Sequence, residues 1–181
     1  MSKLLPEIDE KLAQWIGEQH VFFVSTAPLS AQGHINTSPK GGDSFRILGP
    51  HEVAYLDFTG SGAETAAHVK ENGRILITFC AFQGAPQIVR LHGKGEIIQL
   101  GSPNSEEIFS KFPNTPGVRA VVKINVTRVS TSCGFGIPVM DFKADRETLE
   151  KWSVSQGQES LKNYRAQKNA VSIDGLLTFG P

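Results

Sequence analysis

This 181-residue sequence has few cysteines, no excess of charge of either sign and no long apolar run. Its two cysteines, Cys80 and Cys133, are too few for a disulfide framework. Eighteen basic and eighteen acidic residues give a formal charge of zero, which argues against binding nucleic acid through its phosphates. No apolar run reaches the about 18 residues of a membrane span, and the amino terminus lacks the apolar stretch of a signal peptide. We therefore expect a cytoplasmic protein without nucleic-acid or membrane partners.

Short segments rich in β-branched and aromatic residues dominate the chain and predict a mainly β fold. Helices are expected over residues 6–19, near 66–72, from 102 to about 112, and in two pieces after residue 145. Hairpin-length connections favour an antiparallel β-barrel with peripheral helices over a doubly wound sheet. Gly93 and Gly95 are expected to mark bulges or bends. The strands are expected at 20–26, 34–38, 45–48, 53–58, 74–82, 87–100 and 118–131.

The segment 59–65 carries the strongest local chemical signal. Its two glycines allow a tight turn between a strand and a helix, so that backbone N–H groups and the helix N-terminus would face a ligand such as phosphate. Thr59, Ser61 and Thr65 add hydroxyl groups. A dinucleotide fingerprint is excluded because its third glycine is missing, and no P-loop is present. Ser61 and Glu64 also fit a capping box, so the turn is either simple helix initiation or a ligand cradle.

The order and spacing of several segments resemble the pyridoxamine 5'-phosphate oxidase-like FMN-binding split barrels. The resemblance implies a six-stranded antiparallel split barrel and a homodimer, with FMN in a groove between the subunits. We expect residues 1–144 to form this barrel and residues 145–181 to form a helical extension that packs on the barrel or on the dimer partner. The segments that carry the resemblance are Phe22–Thr26, Asn36–Gly41, Phe45–Leu48, Phe58–Gly62, Glu71–Ile75 and Val89–Glu96.

The resemblance also implies which residues bind the cofactor. Arg46 and Arg90 would hold the phosphate, because a guanidinium group suits a dianion. Lys40 is expected in a tight turn. The Arg-Lys pair of true pyridoxamine-phosphate oxidases is replaced by Glu64 and Thr65, so vitamin B6 oxidase activity is not expected. The implied cofactor-binding residues are Lys40, Arg46, Ile47, Leu48, Gly49, Phe58, Thr59, Ser61, Gly62, Thr65 and Arg90.

The function that the resemblance implies is an FMN-binding flavoprotein that acts as an oxidoreductase on a small molecule, with no catalytic residue assigned. The alternatives are a deazaflavin-dependent reductase on the same barrel, a non-catalytic flavin- or haem-binding module, and an interaction protein with a degenerate groove. The five histidines lack metal-ligand spacing, so no metal site is expected. Cys80 is expected in the core. Cys133 is either an accessible thiol or a buried one, and His92 either shares a groove with Arg90 or is an ordinary strand residue.

Overall fold

The computed structural model describes residues 2–103 and 105–179 and contains, within them, eight strands and four helices. An antiparallel sheet curls around an apolar core, and the helices lie outside it. In chain order the elements are β1 (Lys3–Leu5), α1 (Glu10–Gly17), β2 (Val21–Thr26), β3 (Asn36–Gly41), β4 (Phe45–Gly49), β5 (Glu52–Phe58), α2 (Glu64–Asn72), β6 (Arg74–Cys80), β7 (Ile88–Gln99), α3 (Ser105–Phe109), β8 (Val118–Ser132) and α4 (Thr148–Lys168).

The sheet follows the order β3-β2-β6-β7-β8-β5-β4, and β1 pairs with the far end of β8. Each neighbouring pair is antiparallel, which confirms the predicted mainly β split barrel. The expected count of six strands is wrong, because the described residues form eight. Seven of them follow the segments predicted from composition. The eighth, β1, has three residues and depends on its pairing with β8, which a local pattern does not reveal.

An aromatic cluster fills the centre of the core. The rings of Phe22, Phe45, Tyr55 and Phe79 lie in contact, with centroids 5.1–5.7 Å apart. Phe22 lies in β2 and Phe79 in β6, and both are buried. Buried residues alternate with more exposed ones along these two strands, as expected for a sheet with one face on the core. Helix α1 covers one end of this core. Its apolar stripe is buried, and the Asp9 carboxylate caps it by accepting a hydrogen bond from the Leu12 N–H at 2.7 Å.

Lys40 does not lie in a tight turn, because β3 extends to Gly41 and Lys40 pairs with Phe22. The strand accommodates Pro39 because β3 is the edge of the sheet, where one side of the strand has no neighbour and no N–H is needed.

Gly157, with φ +72°, breaks α4 into two helical pieces, as the sequence pattern indicates. Among the described helices, none has the length and apolar character needed to cross a membrane.

Candidate functional site

A polar groove of about 340 Å³ opens where β5 ends and α2 begins. The glycine-rich turn, residues 60–65, forms one wall. The strand β3 forms the opposite wall with Asn36, Ser38, Pro39 and Lys40, and Arg119 of β8 closes the floor beside Asp57 and Phe58. The end of β5 thus delivers the turn to a place where three other elements can face it.

Helix α2 begins at the groove without a side-chain cap. Its N-cap residue is Ala63, so the predicted Ser61–Glu64 capping box is wrong. The N–H groups of the first turn have no intrahelical acceptors, and with the helix dipole they favour an anion there. The Glu64 carboxylate instead folds back toward the backbone of Gly62, where its Oε2 atom occupies the space that a Cβ atom on Gly62 would need.

Arg119 is the centre of the hydrogen bonds below the groove. Its buried guanidinium donates from Nε to Asp57 Oδ2 at 2.7 Å and from Nη2 to the carbonyl oxygen of Gly62 at 2.9 Å. Its Nη1 donates to Asn169 Oδ1 at 2.6 Å, and the ring of Phe179 stacks 4.7 Å from its Cζ. Each of its three nitrogens donates one hydrogen bond within the protein, and Nη1 and Nη2 each keep a second N–H. Arg119 is therefore a brace for the turn and a partner for the buried Asp57 carboxylate.

Among the described residues that line the groove, Lys40 is the cation that makes no hydrogen bond within the protein. Its Nζ lies 3.7 Å from Asp57 Oδ1, which is too long for a hydrogen bond. The opposite oxygen of Asp57 already accepts from Arg119. The ammonium group is thus held near the groove without being consumed by a partner, and it can donate to an anion.

The C-terminal helix covers the other side of the same turn. Arg165 donates from Nε to the Thr59 hydroxyl at 2.9 Å, and Asn169 donates from Nδ2 to the Gly60 carbonyl oxygen at 2.9 Å. Burial, followed by the charge of Arg119, lowers the pKa of Arg165 below its ordinary value. Two guanidinium groups therefore lie close to the turn, which adds positive potential behind it.

Five of the predicted cofactor-binding residues line this groove: Lys40, Phe58, Ser61, Gly62 and Thr65. Thr59 lies beneath the turn, fully buried, with its hydroxyl bonded to Arg165. The four predicted residues of β4 lie outside the groove. Of these, Ile47 packs against the main core cluster and Leu48 against a second one.

Neither arginine expected at the phosphate faces the groove. Arg46 is bound by Asp43, three residues earlier, at 2.5 and 3.0 Å, and its Nε donates to the carbonyl oxygen of Lys111 at 2.8 Å. Arg90 donates to the Ser132 hydroxyl at 2.9 Å. Among the arginines of the described residues, Arg119 is the one that lines the groove.

The remaining candidates lie away from the groove. His92 is half-buried on β7, where burial, followed by the charges of Arg128 and Arg90, lowers its pKa. Cys80 is buried, as expected for a core residue, whereas Cys133 is exposed. The accessible alternative for Cys133 is therefore the one that the structure supports.

Sequence reasoning missed Arg119, Asp57, Arg165 and Asn169. A signal was present for the first of them, since Arg119 is the one charged residue in the apolar run 118–122. A lone charge inside a buried strand requires a partner, and Asp57 is the one charged residue in the apolar run 53–58 of β5. Arg165 and Asn169 lie in a polar helix that gives no comparable signal.

A buried histidine next to the groove should make stability depend on pH. The Nδ1 atom of His68 lies 3.0 Å from Thr26 Oγ1, and its Nε2 has no partner among the described residues. Burial lowers the pKa of His68 below its ordinary value of 6.5. The unfolded chain therefore takes up a proton that the folded chain resists, and the free energy of unfolding should fall as the pH drops below 6.5.

Urea unfolding at pH about 7.5 and about 5.5 checks this prediction. The loss of stability at the lower pH should be smaller in a His68→Gln variant than in the parent chain. A variant of the exposed His51, His51→Gln, should keep the parent's loss. An equal loss in the parent chain and in His68→Gln would assign the pH dependence to other groups.

Comparisons with known proteins agree with this architecture. The family profile described as pyridoxamine 5'-phosphate oxidase matches residues 8–133. The pyridoxamine 5'-phosphate oxidase family protein ustO of Aspergillus flavus is 37% identical over 188 aligned residues, covering 93% of this chain and 74% of that protein. A crystal structure of a HupZ variant from Group A Streptococcus shares the fold, with a TM-score of 0.55, 24% identity, and coverage of 69% of this chain and 99% of that one.

The fold and the groove together define a split-barrel protein with a polar cleft at a glycine-rich turn. Because the family profile covers most of the barrel and a relative at 37% identity spans nearly the whole chain, the chain belongs to the pyridoxamine 5'-phosphate oxidase family.

Proposed function

We propose that this protein binds FMN with the phosphate at the glycine-rich turn, and that it is a flavin-dependent oxidoreductase for a small molecule. The observation that carries the proposal is the placement of Lys40, with free donors, across the groove from the uncapped N-terminus of α2. Membership of the family supports FMN over other anions. The proposal includes a homodimer, as the family resemblance implies.

The size of the groove suits one end of the cofactor. Its volume of about 340 Å³ lies near the lower limit of ligand pockets, which span about 300–1,000 Å³. It therefore fits the phosphate and the ribityl chain, and the isoalloxazine ring would extend past it. In a homodimer, the second subunit would cover that ring.

The charges of the groove also fit a phosphate, although its lining carries two cations and two carboxylates. Asp57 is compensated by its bond to Arg119 at 2.7 Å. Glu64 is turned toward Gly62 and has no hydrogen bond or ion pair among the described residues, so it opposes the anion in part. Lys40 and the first-turn N–H groups of α2 remain to meet the anion, with the exposed Ser61 hydroxyl as a further donor. In this proposal Lys40 takes the role of leading phosphate ligand that the family resemblance implied for Arg46 and Arg90.

The division of work within the site follows from these contacts. FMN, when bound, supplies hydride chemistry, and the protein supplies binding and orientation. Lys40 and Ser61 bind the phosphate. Arg119 holds the turn in shape and does not need to touch the ligand, since its three nitrogens already have partners.

Replacing Lys40 by methionine is expected to weaken FMN binding about ten- to a hundredfold, because a charge-assisted hydrogen bond to the phosphate is worth about 1.5–3 kcal/mol. Methionine keeps the length of the side chain and removes its charge. The quenching of flavin fluorescence on titration of the purified protein measures this dissociation constant. Affinity for riboflavin, which lacks the phosphate, should stay unchanged.

Lys11→Met is the matched control, because Lys11 is exposed on α1, outside the groove. It should bind FMN as tightly as the parent chain. Equal FMN affinities of the Lys40→Met variant and the parent would remove Lys40 from the phosphate site. A parent chain that does not bind FMN, or that purifies with the single absorption band of a deazaflavin, would overturn the choice of cofactor.

A further inference from the structure

We propose that the C-terminal helix is part of the phosphate site, with Arg165 and Asn169 as positioning residues that hold the glycine-rich turn in its binding conformation. This inference rests on the proposed binding of FMN. The helix lies outside residues 8–133, the part of the chain that the family profile covers. The site of this chain would therefore depend on a segment that is not part of the matched barrel.

Asn169 joins the turn to the floor of the groove. Its side chain is completely buried, accepts a hydrogen bond from Arg119 at 2.6 Å and donates one to the Gly60 carbonyl oxygen at 2.9 Å. Arg119 in turn holds the carbonyl oxygen of Gly62. Two alternate peptide groups of the turn are thus fixed through one buried amide and one buried guanidinium.

Arg165 holds Thr59, the residue directly before the turn. Its Nε donates to Thr59 Oγ1 at 2.9 Å, one helical turn before Asn169, and the N–H of Asn169 donates back to the Arg165 carbonyl oxygen at 2.8 Å. The two side chains therefore belong to the same last turn of α4. A displacement of this helical turn would release Thr59 and Gly60 together.

The segment after α4 fastens that helical turn to the barrel. The Thr178 hydroxyl donates to the Asn169 carbonyl oxygen, and Lys70 of α2 donates to the carbonyl oxygen of Thr178. Asp174 accepts hydrogen bonds from the N–H of His34 at 2.8 Å and from its ring at 2.7 Å. The tail is thus tied to α2, which follows the turn, and to the loop before β3, the strand that forms the opposite wall of the groove.

The turn needs support from other segments because its own residues do little to restrict its backbone conformation. Glycine residues lose more conformational freedom on ordering than any other residue, and α2 lacks a side-chain cap that would fix its first turn. Ordering the turn before the ligand arrives removes that entropy from the cost of binding. Arg165 and Asn169 supply the order from outside the turn, and they leave its N–H groups free for the phosphate.

The test compares Arg165→Met and Asn169→Ala with Lys162→Met, a control at an exposed position of the same helix. Both positioning variants should weaken FMN binding about tenfold while riboflavin affinity changes little, because only the phosphate contacts depend on the turn. Thr59→Val removes the acceptor of Arg165 and should reproduce the effect of Arg165→Met. The double variant with Thr59→Val and Arg165→Met should then bind FMN no more weakly than either single variant.

Hydrogen exchange separates this inference from the choice of cofactor, since it needs no ligand. In the ligand-free Asn169→Ala variant, the amides of Thr59 and Ala67, which donate to the carbonyl oxygens of Gly117 and Ala63 at the two ends of the turn, should exchange about tenfold faster, while the amides of β7 keep their protection. Unchanged exchange at these two amides, or equal losses of FMN and riboflavin affinity, would overturn the positioning role. If the parent chain binds no FMN but the variant shows the faster exchange, only the proposed function is overturned.

Discussion

Replacing Arg119 by methionine is expected to lower the free energy of unfolding by about 3 kcal/mol, the lower end of the range for breaking a buried ion pair. The variant leaves Asp57 buried and without its hydrogen-bonded partner. The loss stays at the lower end because Lys40 remains 3.7 Å from the carboxylate. The substitution also removes the hydrogen bonds that Arg119 donates to the Gly62 carbonyl oxygen and to Asn169 Oδ1. The turn would then lose its support, so FMN binding should be lost as well. Urea denaturation and flavin titration measure the two effects.

Arg128→Met is the control for this experiment, because Arg128 lies on the same strand but is exposed. Its free energy of unfolding should change by less than about 0.5 kcal/mol. Adding Asp57→Asn to Arg119→Met should recover part of the loss, since the double variant no longer buries an unpaired charge. A loss below about 1 kcal/mol in the single variant would mean that the ion pair contributes little to the fold.

Replacing Gly93 by alanine is expected to destabilise the barrel by about 3 kcal/mol or more, at the upper end of the range for overpacking. A Cβ atom at this position would overlap the carbonyl oxygen of Asn125 and lie 2.7 Å from Cγ2 of Ile124. Both belong to β8, whose pairing with β7 is the longest in the sheet. The neighbouring backbone would have to move, because the overlapped atom is not the end of a flexible side chain. The midpoint of urea unfolding measures the loss.

Gly49→Ala provides the comparison within another strand. A Cβ atom at Gly49 meets no described atom within 4 Å, so its midpoint should stay close to that of the parent chain. An unchanged midpoint in Gly93→Ala would show that β7 and β8 can separate locally without loss of stability. Because β7 and β8 join the two halves of the sheet, we expect the opposite.

Much of the barrel could be predicted because its strands carry local signals. The segment Val21–Thr26 alternates between buried and half-buried residues, which an apolar, β-branched sequence indicates. Gly93 was expected to mark a bulge, and the register of β7 and β8 shifts between His92 and Gly93. Strand β1 could not be predicted, since three residues have no period and depend on a partner more than a hundred residues away.

The candidate site was predictable only in part, and the reason is again locality. Ser61, Gly62 and Thr65 belong to one turn, whose composition indicates a backbone that faces a ligand. The charges around it come from distant strands and from α4, and their pairing depends on the fold. Arg46 illustrates the limit. A strand arginine is a plausible phosphate ligand, but Asp43 lies three residues before it and binds its guanidinium.

The proline in β3 constrains how two copies of this chain could assemble. Strand β3 forms one edge of the sheet, and Pro39, which pairs with Phe23 of β2, has no N–H group to donate. A proline on an edge strand discourages the addition of a further strand. Association of two copies should therefore not occur by extending the sheet at β3.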